Sequence, residues 1–79
     1  MALYHAEDSM RAFYSTQKHF RVFILGTPEG WQVSIFDLEN QRWVESEGCT
    51  RDTLKMAKAT AEEKASALLG KKILAMKWH

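Results

Sequence analysis

The 79-residue chain has little of several features that would point to a specialised class of protein. Its single cysteine, Cys49, excludes an internal disulfide and a cysteine cluster for zinc, and such sparing use of cysteine is typical of a reducing compartment. No apolar run approaches the roughly 18 residues that a membrane-spanning helix needs, and the N-terminus lacks the basic-then-apolar order of a secretory signal. We therefore expect a cytoplasmic protein with no membrane partner.

Local motifs of catalysis are also missing from the sequence. It contains no glycine-rich phosphate loop, no nucleophile beside a general base and no pair of carboxylates in an apolar setting. The three histidines (His5, His19, His79) are scattered, which favours surface residues over a metal site, and Cys49 has no histidine near it in sequence. The sequence predicts a non-enzymatic protein that uses no cofactor and no metal.

What the chain does contain is enough apolar residues for one small core. Hydrophobic residues make up 46% of the sequence and charged residues 27%, which is far from the composition of disordered chains. A chain of this length buries only about 60% of the surface that its unfolded form exposes, so a second core has no room. We expect residues 1–79 to form a single domain.

The only proline marks a β-hairpin. It lies in Thr27-Pro28-Glu29-Gly30, between two runs rich in β-branched and aromatic residues, and the proline and glycine fit a tight turn. If Thr27 faces Gly30, six alternating residues share one face, which we predict to be the core face: Phe20, Val22, Ile24, Trp31, Val33 and Ile35.

A third strand is predicted after a two-residue turn at Glu39-Asn40. That turn sets Asp37 opposite Arg42, Phe36 opposite Trp43 and Ile35 opposite Val44, so that a charge pair and an apolar pair both match. A slip of one residue would turn Val44 away from the core face. Residues 20–44 are therefore predicted to form a three-stranded antiparallel meander.

One amphipathic helix follows the meander. Its apolar residues recur at helical spacing and form a single stripe: Leu54, Ala57, Ala61, Ala65, Leu68 and Leu69. Thr50, Asp52 or Thr53 can cap its start, and Gly70 can end it in the left-handed conformation. The predicted fold class is α+β, with the meander packed on this helix over residues 20–69. Residues 71–78 are predicted to add a short edge strand, and residues 1–18 to be either helical or frayed.

The second face of the predicted meander is too apolar to be left in water. The register places five large side chains on it: Phe23, Leu25, Phe36, Leu38 and Trp43. The sequence is consistent with three ways of covering this face. The N-terminal segment can fold over it through Met10, Phe13 and Tyr14, a second copy can form a homodimer, or another protein can bind.

A second candidate site lies at the start of the helix. Arg51, Lys55 and Lys58 crowd the first turns, where the helix dipole favours negative side chains. Beyond residue 50 the chain has seven basic and three acidic residues, against four and seven before it. These residues are candidates for binding an anion or a nucleic acid. The alternative is a solvated helix face on which Lys58 pairs with Glu62.

Two small α+β families share parts of this pattern. The segment Gly30-Trp31-Gln32-Val33-Ser34-Ile35-Phe36-Asp37-Leu38, with Asp52-Thr53-Leu54 and Ala57, resembles HicB-like antitoxin domains. The segment Lys55-Met56-Ala57-Lys58 followed by Ala61 is similar to the second helix of double-stranded-RNA-binding domains, which implies lysines that reach phosphates. The first resemblance implies the fold, and the second also implies an RNA partner.

The sequence as a whole leads to one main hypothesis and one alternative. The main hypothesis is a small protein-interaction module that binds itself or another protein through the second sheet face or through an exposed sheet edge. The alternative is a protein that binds double-stranded RNA through Arg51, Lys55 and Lys58.

Overall fold

The fold is seen in a computed structural model, which describes residues 11–44, 48–73 and 76–79. In chain order its elements are β1 (Ala12–Gln17), β2 (Phe20–Thr27), β3 (Gly30–Asp37), β4 (Arg42–Trp43), β5 (Cys49–Arg51) and helix α1 (Leu54–Leu69). The strands form one antiparallel sheet in the order β1-β2-β3, with β4 and β5 both paired to the outer edge of β3. The predicted α+β fold, an antiparallel meander packed on one helix, is confirmed.

The hairpin of β2 and β3 has the predicted register, with Thr27 opposite Gly30 and Ile24 opposite Val33. Gly30 has a φ of 136°, a conformation that other residues rarely adopt. A Cβ atom at this position would lie 2.5 Å from the carbonyl oxygen of Arg51 in β5. The glycine is therefore needed both for the turn and for the close approach of the next strand.

The connection between β3 and β4 is longer than predicted. Asp37 lies opposite Arg42 and Phe36 opposite Trp43 as expected, but a four-residue loop of residues 38–41 replaces the two-residue turn. The Asp37 carboxylate accepts hydrogen bonds from the backbone N–H groups of Glu39 (3.0 Å) and Asn40 (3.1 Å) and from Asn40 Nδ2 (2.8 Å). It therefore stabilises the loop instead of forming the predicted charge pair with Arg42.

The last strand of the sheet is split in two. Between the pairs Phe36–Trp43 and Val33–Cys49, β3 contributes two residues, whereas the opposite side contributes residues 44–48. Val44 still donates a backbone hydrogen bond to Ile35 (2.8 Å), so the predicted register holds up to that residue. The extra residues shift the register before β5 begins.

The prediction for residues 1–18 is wrong where the structure describes them. Residues 12–17 are neither helical nor frayed but form β1, which pairs with β2 from Ala12–Leu25 to Gln17–Phe20. The sequence of β1 does not show the alternation of apolar and polar residues that marks a half-buried strand, because Ser15, the core-facing residue in its middle, is polar. Ser15 is only 1% exposed, and its hydroxyl accepts a hydrogen bond from Gln17 Nε2 (3.0 Å). Residues 1–10 lie outside the described part of the chain.

Helix α1 begins and ends at predicted caps. Thr53 Oγ1 accepts a hydrogen bond from the Met56 N–H (3.1 Å), and Gly70 adopts the left-handed conformation with φ 73°. Ala57, Ala61 and Ala65 are fully buried against the sheet, whereas Leu68 is 42% exposed, contrary to its place in the predicted stripe. The core also holds Phe20, Val22, Ile24, Val33, Ile35 and Met76. No helix in the described residues is long and apolar enough to cross a membrane.

The C-terminal segment returns to the free edge of β1. His79 donates a backbone hydrogen bond to Tyr14 (2.9 Å) and accepts one from it (3.1 Å), an exchange typical of an antiparallel pair. The described residues of 71–78 are not part of a regular strand, and residues 74–75 lie outside the description. Among the described residues of this segment, backbone pairing with the sheet is limited to His79 and Tyr14, so the predicted edge strand is not seen there.

Candidate functional site

The outer face is the side of the sheet that points away from helix α1. Along β2 and β3 the residues alternate, and Val22, Ile24 and Ile35 are buried beneath the helix. Because side chains alternate along a strand, the residues between them point to the opposite side. These outer-face residues are Tyr14, Arg21, Phe23, Leu25, Gln32, Ser34 and Phe36, and the register adds Trp43 beside Phe36.

Aromatic rings form a continuous row across this face. The ring centroids of Tyr14 and Phe23 lie 6.2 Å apart, those of Phe23 and Trp43 5.4 Å, and those of Phe36 and Trp43 5.1 Å in an edge-on arrangement. Such distances are typical of favourable aromatic pairs. The row nevertheless remains in contact with solvent, since Tyr14 is 40% exposed, Leu25 42% and Trp43 51%.

Four of the five predicted interaction residues lie together on the outer face: Phe23, Leu25, Phe36 and Trp43. Leu38 does not share their strand positions, because it lies in the loop after β3, where its N–H donates a hydrogen bond to the His19 carbonyl (2.9 Å). Tyr14 was missed as a member of the row because β1 was not predicted. The run of aromatic and β-branched residues Phe13, Tyr14 and Thr16 is the signal of a strand that could have found it.

The predicted covering of this face by the N-terminal segment is not supported by the residues that the structure describes. Phe13 points to the helix side of the sheet, where its ring lies 6.2 Å from that of Trp31. Tyr14 is part of the outer face and does not lie over it. Met10, the third residue of that prediction, lies outside the described residues.

Little charge accompanies the aromatic row. Arg21 lies over the Tyr14 ring, with 5.1 Å between its guanidinium carbon and the ring centroid, and its Nε donates a hydrogen bond to Thr16 Oγ1 (2.8 Å). None of the outer-face residues described in β1, β2 and β3 is acidic. An open groove of about 450 Å³ lies beside the row and is lined in part by Leu25, Gln32, Ser34 and Trp43.

Two of the three basic residues predicted at the helix start, Arg51 and Lys58, contact neighbouring groups. Arg51 Nε donates to Thr60 Oγ1 (3.0 Å), and its Nη1 donates to the Thr50 carbonyl (3.1 Å). Lys58 Nζ lies 5.4 Å from the centroid of the Phe13 ring, not beside Glu62, and Lys55 is exposed. Because the Thr53 hydroxyl already caps the Met56 N–H, one of the backbone donors expected for an anion is occupied.

The described residues offer few other side chains that could form a metal site or a reactive site. In the described ranges, no group of three or more His, Cys, Asp or Glu side chains is arranged to hold a metal ion. Cys49 lies in β5 opposite Val33 and is partly buried against the core. The His79 ring lies near that of Tyr14, with 5.5 Å between their ring centroids.

No protein-family model, curated protein or solved structure matches the chain, so the HicB-like and double-stranded-RNA-binding resemblances stay predictions.

Proposed function

We propose that the protein is a small non-enzymatic self-association module in which the outer faces of two copies pack together. The observation that carries this proposal is the exposed row of aromatic rings from Tyr14 through Phe23 and Trp43 to Phe36. Contiguous apolar patches of a few hundred Å² on a small protein usually serve as interaction sites. The row is fixed by strand pairing, so it offers a surface of defined shape.

In the proposed dimer a twofold axis relates the two outer faces, so that each copy contributes the same residues. The fitting axis runs across the strands at the level of the Phe23–Ser34 pair. It places Trp43 of each copy beside Gln32 and Leu25 of the other, where the open groove lies. In this arrangement Trp43, which is 51% exposed in the monomer, becomes buried.

The distribution of charged side chains on the outer face favours the same arrangement of the two copies. Arg21 lies two residues from Phe23 at one end of the face, and Leu25 lies two residues away at the other end. The axis therefore sets each Arg21 at the level of the other copy's Leu25 and separates the two guanidinium groups by about 13 Å along the strands. Like charges are not brought together, and the described outer-face positions of β1, β2 and β3 contribute no acidic group.

The small size of the outer face is consistent with a weak dimer. With strands about 4.8 Å apart, the eight residues each of β2 and β3, the six of β1 and the shorter β4 and β5 span roughly 400 Å² of sheet plane. A standard protein interface buries about 800 Å² on each partner. We therefore expect a dimer with a dissociation constant in the micromolar range.

Sedimentation velocity over a series of concentrations tests the proposal. The informative comparison is Leu25→Lys on the outer face with Leu68→Lys on the helix, because both leucines are 42% exposed and both changes add one positive charge. We expect the wild type and Leu68→Lys to dimerise with rising concentration, and Leu25→Lys to stay monomeric. Circular dichroism checks that both variants keep the fold.

Two outcomes would count against a homodimer. A wild-type monomer at all concentrations whose residues 1–10 resist hydrogen exchange would favour an intrachain cover of the outer face. A monomer with rapid exchange in that segment would instead favour a different protein as the partner. Equal loss of association in both leucine variants would show that the added charge, not the outer face, is responsible.

A further inference from the structure

A cluster of positive side chains around two aromatic rings lies on the opposite side of the sheet from the outer face. We call it the basic corner, and it consists of Arg11, Phe13, Trp31, Arg51 and Lys58. Phe13 and Trp31 are in ring contact at 6.2 Å, and Arg51 is the cross-strand neighbour of Trp31. The corner thus joins the start of β1, the start of β3, β5 and helix α1.

The Phe13 ring holds two cations in place. The guanidinium carbon of Arg11 lies 5.1 Å from its centroid, and Lys58 Nζ lies 5.4 Å from it. Cation–π contacts at such distances fix the position of a positive group without using its N–H donors. The backbone of Arg11 is fixed as well, since its carbonyl accepts a hydrogen bond from the Gly26 N–H (2.8 Å).

These cations have no negative partner in the part of the chain that the structure describes. No carboxylate forms an ion pair with Arg11, Arg51 or Lys58 among those residues. Arg51 uses two of its donors on Thr60 and Thr50, which leaves the rest of its fork available. Holding like charges near one ring is unfavourable by itself, and an anion that bridges them removes that cost.

We propose that the basic corner binds the phosphate backbone of a nucleic acid. Arg11 and Lys58 lie at the Phe13 ring, whereas Arg51 lies opposite Trp31 in β5, so the cations can contact more than one phosphate along a strand. Arginine forks match phosphate geometry, and the aromatic rings beneath the cations keep them pre-positioned. Contacts of this kind set affinity without reading base sequence. The inference does not depend on self-association through the outer face.

Fluorescence anisotropy with a short labelled RNA duplex, at several salt concentrations, tests this proposal. With three phosphate contacts we expect the logarithm of the binding constant to fall with the logarithm of salt concentration with a slope of about −3. Arg11→Gln and Lys58→Gln should each weaken binding and reduce that slope by about one. Lys72→Gln, an exposed lysine outside the corner, is the charge-matched control and should leave both values nearly unchanged.

Further variants separate positioning from charge. Phe13→Leu keeps every charge but removes the ring that holds Arg11 and Lys58, and we expect it to weaken binding although the net charge is unchanged. If Arg11→Gln fails to fold, Arg11→Met replaces it, because it keeps the apolar stem without the charge and should weaken binding to the same extent. Trp43→Ser, on the outer face, should not change RNA binding. That result would separate this site from the self-association surface.

The remaining outcomes are also decisive. The corresponding single-stranded RNA shows whether the phosphates come from a duplex or a flexible strand, and both would use the same chemistry. No binding at low salt would overturn the proposal. Equal weakening by Lys72→Gln and Arg11→Gln would overturn it too, because the attraction would then come from diffuse charge and not from the basic corner.

Discussion

The indole of Trp43 lies 5.4 Å from the ring of Phe23, although Phe23 is paired across the sheet with Ser34 and Trp43 with Phe36. The contact is diagonal and crosses β3. The indole of Trp43 can reach Phe23 because Ser34, which lies between the two rings, has a small side chain. The continuity of the aromatic row therefore depends on the size of a side chain that is not itself aromatic.

Enlarging that serine should break the row. In Ser34→Leu the new side chain occupies the space between Trp43 and Phe23, and we expect the indole to lose the ring-current shift that Phe23 causes. The indole N–H resonance of Trp43 in a ¹⁵N NMR spectrum measures this change. Gln32→Leu, two residues away on the same face of β3, should leave that resonance close to its wild-type position.

The buried alanines of α1 should tolerate no added volume. Ala61 is fully buried between the helix and the sheet, so Ala61→Leu should lower the free energy of unfolding by about 1–3 kcal/mol through overpacking. Ala59 is exposed on the same helix, and Ala59→Leu should change it by less than about 0.5 kcal/mol. Urea unfolding followed by circular dichroism measures both values. Equal effects would contradict the close approach of helix and sheet.

Two glycines with positive φ should respond differently to substitution. At Gly30, an alanine meets both an unfavourable backbone conformation and the Arg51 carbonyl, so Gly30→Ala should lower the free energy of unfolding by about 3 kcal/mol or more. At Gly70 nothing lies within 4 Å of an added Cβ, and Gly70→Ala should cost only the left-handed strain of about 1–2 kcal/mol. Thermal unfolding of the two variants compares these costs. A similar cost at both sites would show that β5 does not crowd Gly30.

The hydrogen bonds that Asp37 accepts in the loop after β3 should make the free energy of unfolding depend on pH in the acidic range. The hydrogen bond from the Asn40 side chain, with those from the Asn40 and Glu39 N–H groups, lowers the pKa of Asp37 below its ordinary value. A carboxylate with a lowered pKa stabilises the folded state above the ordinary aspartate pKa of about 3.9. That contribution is lost as the pH falls from there through the lower pKa of the folded state.

Titration of the Asp37 carboxyl carbon by NMR checks this directly. In Asn40→Ala the pKa of Asp37 should rise towards the ordinary value, because the largest cause of its lowering is removed. The free energy of unfolding of this variant should then depend less on pH below 4. A midpoint that does not move in Asn40→Ala would contradict the role given to the side-chain hydrogen bond.

Where local signals agreed, the sequence was a good guide to the fold. The Pro28 turn and the alternation on both sides of it predicted the β2–β3 register, and the spacing of alanines and the caps predicted α1. The core residues followed because each lies on the face that the register selects. Short-range turn chemistry and side-chain periodicity carry this information within a few residues.

Other features depend on contacts between distant parts of the chain. β1 escaped prediction because Ser15 is polar yet buried, and its position on the core face follows only from its pairing with Val22 of β2. For the same reason Tyr14 was missed on the outer face and Arg11 in the basic corner. The contact of Lys58 with Phe13 joins residues 45 positions apart, which spacing in sequence cannot show.

The exchange of hydrogen bonds between Tyr14 and His79 has a kinetic consequence. The β2–β3 hairpin closes a short loop and can form early, whereas the Tyr14–His79 pair must bring together positions near opposite ends of the chain. Forming this pair adds few contacts but requires a large loss of conformational entropy of the chain. It should therefore form last during folding and open first in the folded protein, while the hairpin stays intact.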